Sequence, residues 1–355
     1  MKIAFLNIYN GVIDRGAETF VKEVASRLSE RHQITVFQSG DSMGENYEVK
    51  KIPIKWNWNN KSAVGTVRSR FFIDYWNRQV AKFTFKLLPR IYKGKYDVVI
   101  PINGGWMPAL IRLVTWLYGG KMIISGQSGI GWDDRNNLWC FPDVFVAISS
   151  RAKTWAKRAN PLVRVEYIPN GVDLNKFTAK DEKYQTELKK PVVLCVGALT
   201  KSKRIDLEIK AAARLAGVSL LVAGDGDLRE ELKVLGTRLL GNKFQLVKVA
   251  YGEMPKVYRN ADVFTLPSEK SEAFGNVLVE AMASGLPVVA NNDSIRREIV
   301  GDAGILVDPI DTDEYARALE KALKVDWGDK SRKQAEKFSW DKIAEKYEKL
   351  FLEIT

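Results

Sequence analysis

Two glutamates, Glu272 and Glu280, are separated by seven residues and flank a Phe-Gly-Asn run with Gly275 at its centre. Free amides at the start of a helix attract phosphate, and a glycine there lets the phosphate approach the backbone closely. An ionised carboxylate about one and a half turns later can accept hydrogen bonds from two neighbouring hydroxyls, as on a ribose. The pattern indicates a site for a phosphorylated ligand, with Glu272 facing whatever is attached beyond the phosphates.

The elements that must position these groups are a loop, a helix and a buried strand within residues 268–290. Apolar residues at helical spacing predict a helix that begins near Gly275 and stops at Gly285 and Pro287. The alternative is an ordinary amphipathic helix that carries two solvated glutamates. Spacing alone does not decide between the two interpretations.

The same stretch, with its Ser-Gly-Leu-Pro-Val-Val run, resembles the E-x7-E element of the retaining glycosyltransferases of the GT-B fold, specifically family four. In that family the second glutamate holds the ribose of a nucleotide sugar and the first contacts the donor sugar. The resemblance implies these roles for Glu280 and Glu272. It also implies an α/β fold of two Rossmann-like domains with a ligand cleft between them. Further donor contacts are implied at the residues between the glutamates: Ala273, Phe274, Gly275, Asn276 and Val277.

Composition bounds the fold and the setting. The 355 residues suffice for two domains, each with its own core, and contents of 46% hydrophobic and 28% charged residues are globular values. The most apolar run, residues 98–118, is interrupted by polar residues, so we expect no transmembrane helix. The first residues do not read as a secretory signal, and only Cys140 and Cys195 occur as cysteines. These features predict a reduced, cytoplasmic setting.

Positive charge is concentrated in the first half of the chain. Residues 1–172 contain 25 Lys and Arg against 13 Asp and Glu, whereas residues 173–355 contain 30 of each kind. Eight of the ten tryptophans also lie in the first half. A basic half rich in tryptophan favours a membrane interface or a sugar platform over a solvated basic face. Charge alone suggests a nucleic-acid-binding protein, which would leave the glutamate motif unexplained.

The chain opens with a predicted strand, a glycine loop, a helix and a second strand, as a doubly wound α/β domain does. Residues 15–37 resemble the first loop and helix of family-four enzymes, in which two glycines precede Ala-Glu. Here Arg15 stands in place of the first glycine. Gly16 remains as a predicted close-approach position beneath the donor phosphates, with a plain helix-start turn as the alternative.

Residues 66–92 combine aromatic and apolar residues with six basic ones, and we predict one helix over this stretch. A basic aromatic helix can lie in a membrane interface. Trp56 and Trp58, just before it, slightly favour that interpretation. A core helix with a basic outer face is the alternative, and the sequence leaves both open.

Residues 126–137 form a predicted loop after a strand end, where open α/β sheets bind ligands. Many relatives carry a histidine near this position, and this chain does not. Asp133 or Asp134 could supply a carboxylate instead, although a loop-capping role is equally compatible with the sequence. Gly126 is an acceptor-site candidate in this loop, and the predicted acceptor-binding residues are Arg15, Gln127, Trp132, Asp133 and Asp134.

Residues 168–177 resemble the interdomain Pro-Asn-Gly-Val-Asp segment of the family. This resemblance predicts an acceptor-binding Rossmann-like domain at residues 1–172 and a nucleotide-sugar-binding Rossmann-like domain at residues 173–339. A final amphipathic helix, residues 340–355, is expected to pack back on the first domain.

The first loop of the second domain matches the family's Gly-Arg-Leu-x-x-x-Lys-Gly pattern in part. Gly197 and Lys203 are present, but Ala198 replaces the arginine and Arg204 the second glycine. Two adjacent cations can still neutralise a diphosphate leaving group; plain surface charge is the alternative. The resemblance implies further donor contacts at Gly226, Tyr251 and Met254.

Taken together, the resemblance implies that a sugar moves, with retention of anomeric configuration, from a UDP- or GDP-type nucleotide sugar to an acceptor. The basic, tryptophan-rich first half of the chain favours a lipid-linked saccharide or phospholipid in cell-surface glycan synthesis as that acceptor. Glu272, Lys203 and Arg204 are the predicted catalytic residues. We expect no cofactor and no metal, because the Asp-Gly-Asp run around Gly226 reads as a strand-to-helix turn and no His or Cys cluster occurs.

The expected partners are a nucleotide diphosphate sugar, a glycan or lipid-linked acceptor and an anionic membrane surface, without nucleic acid. The expected location is cytoplasmic, with peripheral attachment to the inner face of the cell membrane left open. A glycosyltransferase with a soluble acceptor is the main alternative, followed by a GT-B epimerase or phosphorylase.

Overall fold

A computed structural model describes residues 1–13, 15–42, 44–58, 60, 67–269 and 272–355. The described chain divides into two compact units: unit 1 comprises Met1–Asn170 and Trp340–Thr355, and unit 2 comprises Gly171–Ser339. The predicted border after residue 172 lies in the same Pro-Asn-Gly-Val segment as this division. Thr66, which begins the predicted basic helix, and Lys270 and Ser271, in the glutamate motif, lie outside the described residues.

The strands in chain order are β1 (Lys2–Leu6), β2 (Gln33–Gln38), β3 (Glu48–Lys51), β4 (Val98–Pro101), β5 (Lys121–Ser125), β6 (Val144–Ala147), β7 (Val165–Tyr167), β8 (Val192–Val196), β9 (Ser219–Ala223), β10 (Phe244–Val247), β11 (Val263–Leu266), β12 (Val288–Asn291) and β13 (Gly304–Val307). The α-helices in chain order are α1 (Gly16–Leu28), α2 (Val67–Arg70), α3 (Tyr75–Gly94), α4 (Trp106–Tyr118), α5 (Trp132–Trp139), α6 (Ser150–Ala159), α7 (Ile205–Ala212), α8 (Arg229–Leu240), α9 (Met254–Arg259), α10 (Asn276–Ala283), α11 (Ser294–Val300), α12 (Thr312–Lys324), α13 (Lys330–Ala335) and α14 (Trp340–Ile354).

The sheet of unit 1 is parallel, with strand order β3-β2-β1-β4-β5-β6-β7. Alternate residues of β1 enter different apolar cores: Ile3 and Phe5 pack in one, and Ala4 and Leu6 in the other. Because both faces of the sheet are covered, its inner strands β1, β4, β5 and β6 consist mainly of buried apolar residues. The predicted doubly wound domain is confirmed.

Helix α14 completes unit 1. Its Trp340 and Tyr347 rings lie 6.3 Å and 5.3 Å from the ring of Phe20 on α1. The Tyr347 hydroxyl is also 3.0 Å from the hydroxyl of Ser125, at the end of β5. The last helix of the chain therefore belongs to the core of the unit in which the chain begins.

The prediction of one helix over residues 66–92 is wrong, because the described part of that stretch forms two helices. Helix α2 ends at Arg70, and Phe72 then takes a left-handed conformation with φ 55°. The carboxylate of Asp74 accepts hydrogen bonds from the amides of Trp76 and Asn77 at 2.9 Å and 3.2 Å. Aspartate is a strong N-cap, so it starts a new helix, α3, inside the apolar run.

A second correction concerns residues 126–137, which the sequence predicted as a loop. Helix α5 begins there at Trp132, with Asp133 and Asp134 in its first turn. Within this helix the Asp134 carboxyl accepts a hydrogen bond from the side chain of Asn137, which fixes the first turn of α5.

Unit 2 repeats the strand order of a doubly wound fold. Its parallel strands run β10-β9-β8-β11-β12-β13, so the loops after the neighbouring strands β8 and β11 leave at the switch point of the sheet. Ligands of open α/β sheets bind outside the carboxyl ends of the strands at such a point. In the part of the chain that the structure describes, every helix is too short or too polar to span a bilayer.

Candidate functional site

The two loops at the switch point of unit 2 are joined by an ion pair. Lys203 ends a 3₁₀ turn (Lys201–Lys203) after β8, and Glu272 follows β11. The Lys203 Nζ donates to Oε2 of Glu272 at 2.5 Å, and the two side chains are 21% and 20% exposed. An ammonium has three N–H donors and a carboxylate has about four lone-pair positions, so both groups keep capacity for a ligand.

Arg204 is used differently from its neighbour Lys203. Its Nε donates to the carbonyl of Pro267 at 2.9 Å and its Nη2 to the carbonyl of Ser268 at 3.3 Å. The amide of Glu269 donates to the carbonyl of Ser202 at 2.8 Å, which adds a third link between the same loops. Arg204 therefore positions the segment that leads to Glu272. Only its remaining N–H groups could bind a diphosphate.

Glycines set the shape of the loop that carries Lys203. A Cβ on Gly226, where φ is 156°, would lie 2.7 Å from the carbonyl oxygen of Leu199, and a Cβ on Gly224 would lie 1.9 Å from that of Gly197. The turn after β9 thus packs backbone to backbone against the loop after β8, where no side chain fits. Gly226 acts on the predicted donor site through this packing.

The Asp-Gly-Asp run forms part of that turn. Asp225 pairs with Lys248 at 2.6 Å, and α8 begins only at Arg229. Among the residues that the structure describes, no group of three or more His, Cys, Asp and Glu side chains is arranged to hold a metal ion.

Helix α10 begins with its amides directed toward the same switch point. Gly275 is the N-cap residue with φ 96°, a conformation that favours glycine, and as a glycine it has no side chain to cover the first amides. Asn276 is the first helical residue. The ring of Phe274 is buried and meets Phe338 edge-on at 5.9 Å, so the predicted donor contact of Phe274 could come only from its main chain.

Glu280, about 6 Å further along the helix axis, is buried between two tyrosines. Tyr258 donates to Oε2 at 2.8 Å and Tyr251 to Oε1 at 3.2 Å. Burial raises the pKa of the Glu280 carboxyl, and the two hydroxyl donors and the charge of Lys176 oppose that increase. Each oxygen keeps a further lone pair that could accept from a ribose hydroxyl. Met254, also predicted at the donor site, is buried at the start of α9.

Arg296 was not predicted from the sequence. Its side chain binds the chain segment just before Glu272. The side chain is fully buried on α11, and its Nη1 donates to Asp293 at 2.8 Å. Its Nη2 donates to the Ser268 hydroxyl at 2.5 Å and to the Glu269 carbonyl at 3.2 Å. Burial lowers the pKa of Arg296 despite the neighbouring Asp293 carboxylate. Its position three residues after an Asp N-cap was the only available signal.

Two of the acceptor-binding residues predicted in unit 1 have structural partners. The Gln127 side chain exchanges hydrogen bonds with that of Asn170 at 3.0 Å and 2.9 Å. Asp134 is buried and accepts from Asn137 at 3.2 Å, and burial raises its pKa to about 7. These contacts fit positioning roles, with Asp134 holding the first turn of α5.

The other three predicted acceptor residues reach the surface. Trp132 is 57% exposed, and its indole N–H donates to the carbonyl of Arg70 at 2.9 Å. Asp133 lies beside it and is exposed. Arg15 pairs with Glu18 at 3.3 Å. Gly16 is the first residue of α1, directly after Arg15.

Comparisons with known proteins cover the whole chain. The Glycosyl transferases group 1 model matches residues 176–339, and the Glycosyltransferase Family 4 model matches residues 15–176. A phosphatidyl-myo-inositol mannosyltransferase of Mycolicibacterium smegmatis is 31% identical over an alignment of 374 positions, gaps included, which covers 97% of this chain and 92% of that protein. The chain belongs to the group 1, or family 4, glycosyltransferases.

Two further similarities bear on this glycosyltransferase. A GDP-mannose-dependent alpha-(1-6)-phosphatidylinositol monomannoside mannosyltransferase of Mycobacterium tuberculosis is 30% identical over 203 residues, about half of either chain at 51% and 52%. The crystal structure of Anabaena HepE in complex with UDP-glucose has a TM-score of 0.77 at 19% identity, covering 99% of this chain and 100% of that one. The predicted GT-B fold is thereby confirmed.

Within the glycosyltransferase, the predicted donor residues of unit 2 lie on the loops and helices that follow strands of one sheet. Lys203 and Glu272 touch, Arg204 and Gly226 shape their loops, and Tyr251 touches Glu280. Direct ligand contact of each residue stays a prediction.

Proposed function

We propose that this glycosyltransferase takes a sugar from a nucleoside diphosphate sugar and transfers it, with retention, to a lipid-linked saccharide or phospholipid. The binding of a nucleotide-sugar donor is inferred mainly from the Lys203–Glu272 ion pair, which joins two loops at the switch point of unit 2. The α10 N-terminus at Gly275 supplies amides for the diphosphate on that edge. Glu280, about one turn further along α10, supplies carboxylate oxygens that accept hydrogen bonds from the ribose hydroxyls.

The proposed reaction needs no protein nucleophile. The bond between C1 of the sugar and the terminal phosphate oxygen breaks, and a bond from C1 to the acceptor oxygen forms on the same face. The acceptor proton passes to the departing phosphate oxygen, and the nucleoside diphosphate leaves. Lys203 and the α10 amides stabilise the charge that develops on that phosphate. Glu272 positions Lys203 and accepts hydrogen bonds from the donor sugar.

The base of the nucleotide falls next to the turn at Tyr251–Glu253, whose main chain offers little base-specific chemistry. One relative is named as GDP-mannose-dependent, and HepE was crystallised with UDP-glucose. The proposal therefore covers both a GDP- and a UDP-type donor.

The lipid half of the proposal rests on an exposed face of unit 1. Helices α3 and α4 pack together, and the outer side of α4 carries apolar residues at helical spacing: Trp106, Leu113, Trp116 and Leu117, which are 49–74% exposed. The exposed side of α3 adds aromatic and basic residues, namely Lys82, Phe85, Lys86, Arg90, Tyr92 and Lys93. We call these two sets the α3–α4 face.

The positive charge of the α3–α4 face indicates an anionic partner. Neither Tyr75–Gly94 nor Trp106–Tyr118 contains an Asp or Glu, so every charged residue within these two helices is basic. Such a surface suits the headgroup region of an anionic bilayer. A relative that covers nearly the whole chain is named for a phosphatidylinositol acceptor, which agrees with peripheral attachment.

Donor hydrolysis tests the reaction without a known acceptor. With water as acceptor, the enzyme should release the sugar of its donor, and NMR before mutarotation should show the anomeric configuration of the donor. Lys203→Met should reduce this rate by roughly a hundredfold, the scale of losing one charge-stabilising group. Release of the inverted anomer would contradict the retaining mechanism, and an unchanged rate in Lys203→Met would contradict the role of Lys203.

A further inference from the structure

A stack of aromatic rings lies at the switch point of unit 1, where the loops after β1 and β4 diverge. Tyr9, after β1, faces Trp56 with ring centroids 5.4 Å apart, and Trp56 faces Trp58 at 5.2 Å. The interplanar angles are 24° and 25°, so each ring stacks on its neighbour. We call Tyr9, Trp56 and Trp58 the aromatic stack.

Several contacts fix the aromatic stack in place. Trp76, in the first turn of α3, lies 6.0 Å from Trp56 and 5.5 Å from Trp58. The amide of Asn57, between the two stacked tryptophans, donates to the Tyr75 hydroxyl at 2.6 Å. Tyr9 and Trp56 also pack on the apolar core of unit 1. The rings are therefore held by α3 and the core, which gives a preformed surface.

The two ends of the aromatic stack differ. The guanidinium of Arg15 covers the Tyr9 end at 4.9 Å from the ring centroid. Trp58 ends the other side and is 52% exposed. A large, rigid, exposed indole offers a flat apolar face with an N–H at its edge. A pyranose ring fits such a face, because one side of the sugar presents mainly C–H groups while its hydroxyls point outward.

Polar groups also follow the neighbouring strands at this edge of the sheet. The amide of Ile8 donates to the Asn103 side chain at 2.9 Å, which joins the loops after β1 and β4. Asp74 caps α3 two residues before Trp76. Desolvation and the nearby Asp74 carboxylate raise the pKa of Asp133, so the two carboxyl groups share one region. Carboxylates there can accept hydrogen bonds from sugar hydroxyls.

We propose that the aromatic stack is a saccharide subsite, in which Trp58 contacts the C–H face of a pyranose ring of the acceptor. The inference rests on the proposed function, since it assigns the acceptor to unit 1, and it narrows the acceptor to a molecule that already carries a sugar. The position supports it, because switch points are where α/β sheets bind ligands. Trp58 is then a specificity-determining residue that sequence motifs did not reveal.

Saturation-transfer NMR with methyl glucoside, methyl galactoside and methyl mannoside tests the subsite on the full chain. The wild-type protein should transfer saturation most strongly to the ring protons on one face of at least one glycoside. Trp58→Ala should weaken that binding by about tenfold or more, the scale of one aromatic contact, and Trp58→Phe should restore most of it. Trp139→Ala is the matched control, because Trp139 is equally exposed at 52% in the same unit.

Three results would overturn the subsite. The wild type binds none of the glycosides; Trp58→Ala binds them as well as the wild type; or Trp58→Ala keeps glycoside binding but loses binding to phosphatidylglycerol vesicles, which would make Trp58 a membrane contact. A parallel calorimetric titration with GDP and UDP separates this failure from that of the donor proposal. Nucleotide binding without glycoside binding contradicts only the subsite, and the reverse contradicts only the donor site.

Discussion

At the scale of single residues, Glu208 is a buried carboxyl group that takes no part in the proposed reaction. It is fully buried on α7, the helix that follows the loop carrying Lys203. No N–H or O–H group of the described residues reaches its carboxyl oxygens, and the Cys195 thiol is its polar neighbour. Burial raises the pKa of Glu208 to about 8. The folded protein therefore holds this side chain protonated at neutral pH.

The raised pKa of Glu208 has a consequence for stability. In the unfolded chain the carboxyl ionises near its ordinary value of 4.5, whereas in the folded protein it ionises only near 8. The folded state thus binds more protons between these values, and the contribution of Glu208 to the free energy of unfolding falls as pH rises from 4.5 to about 8.

Replacing Glu208 by glutamine should remove this dependence. Glu208→Gln should gain stability over the wild type by on the order of 3 kcal/mol when the pH is raised from about 5 to about 8. Thermal or urea unfolding at both pH values measures the difference. Glu230→Gln, at an exposed position of α8, is the control and should follow the wild type. An identical pH dependence in wild type and Glu208→Gln would show that Glu208 is not a buried neutral carboxyl.

At the scale of elements, the loops after β8 and β11 make the candidate donor site. They are joined by Lys203 to Glu272, by Arg204 to two main-chain carbonyls, and from below by Arg296. Ala198, where the family pattern has an arginine, is exposed in the same loop. The site therefore has one flexible cation fewer than the family pattern would supply.

Restoring the arginine should strengthen donor binding. Ala198→Arg should tighten binding of a nucleoside diphosphate by about tenfold at low salt, because a charge-assisted hydrogen bond to phosphate contributes about 1.5 kcal/mol. Calorimetry at two ionic strengths checks this, and the gain should shrink at the higher one. Ala213→Arg adds the same charge at an exposed position after α7 and should change little. Equal affinity of Ala198→Arg and the wild type would place residue 198 away from the phosphates.

How much of these elements the sequence could predict depends on the range of the interactions. Local periodicity, which is visible in the sequence, predicts the strands, the helix after Gly275 and the amphipathic helix α14. The break between α2 and α3 was missed because one N-cap, Asp74, outweighs an apolar pattern that continues across it. Arg296 and the aromatic stack could not be predicted, since each joins segments that are distant in sequence.

At the scale of the whole molecule, charge and aromatic residues are divided between the units. The net positive charge lies in the first 172 residues, and the rest of the chain is balanced. Unit 1 also bears the α3–α4 face. This division suits an enzyme whose acceptor half meets an anionic membrane while its donor half handles a small, soluble nucleotide sugar.

Vesicle flotation tests the α3–α4 face. The wild-type protein should float with phosphatidylglycerol vesicles at low salt and less so at high salt. A Trp116→Ser, Leu117→Ser double variant should lose most of this binding, because it removes two of the most exposed apolar side chains of α4. Val234→Ser, at a position 66% exposed on α8 of unit 2, is the control. Equal flotation of the double variant and the wild type would show that the α3–α4 face does not bind the membrane.

We expect unit 2 to bind a nucleoside diphosphate through Lys203, the α10 N-terminus and Glu280. Calorimetric titration of GDP and UDP into the wild type and Glu280→Ala tests it most directly, with thermal unfolding as the check on folding. We predict that at least one nucleotide binds the wild type and that Glu280→Ala weakens it by on the order of 2 kcal/mol, the scale of a charge-assisted hydrogen bond. Binding of neither nucleotide, or equal affinity in a folded Glu280→Ala, would contradict the account.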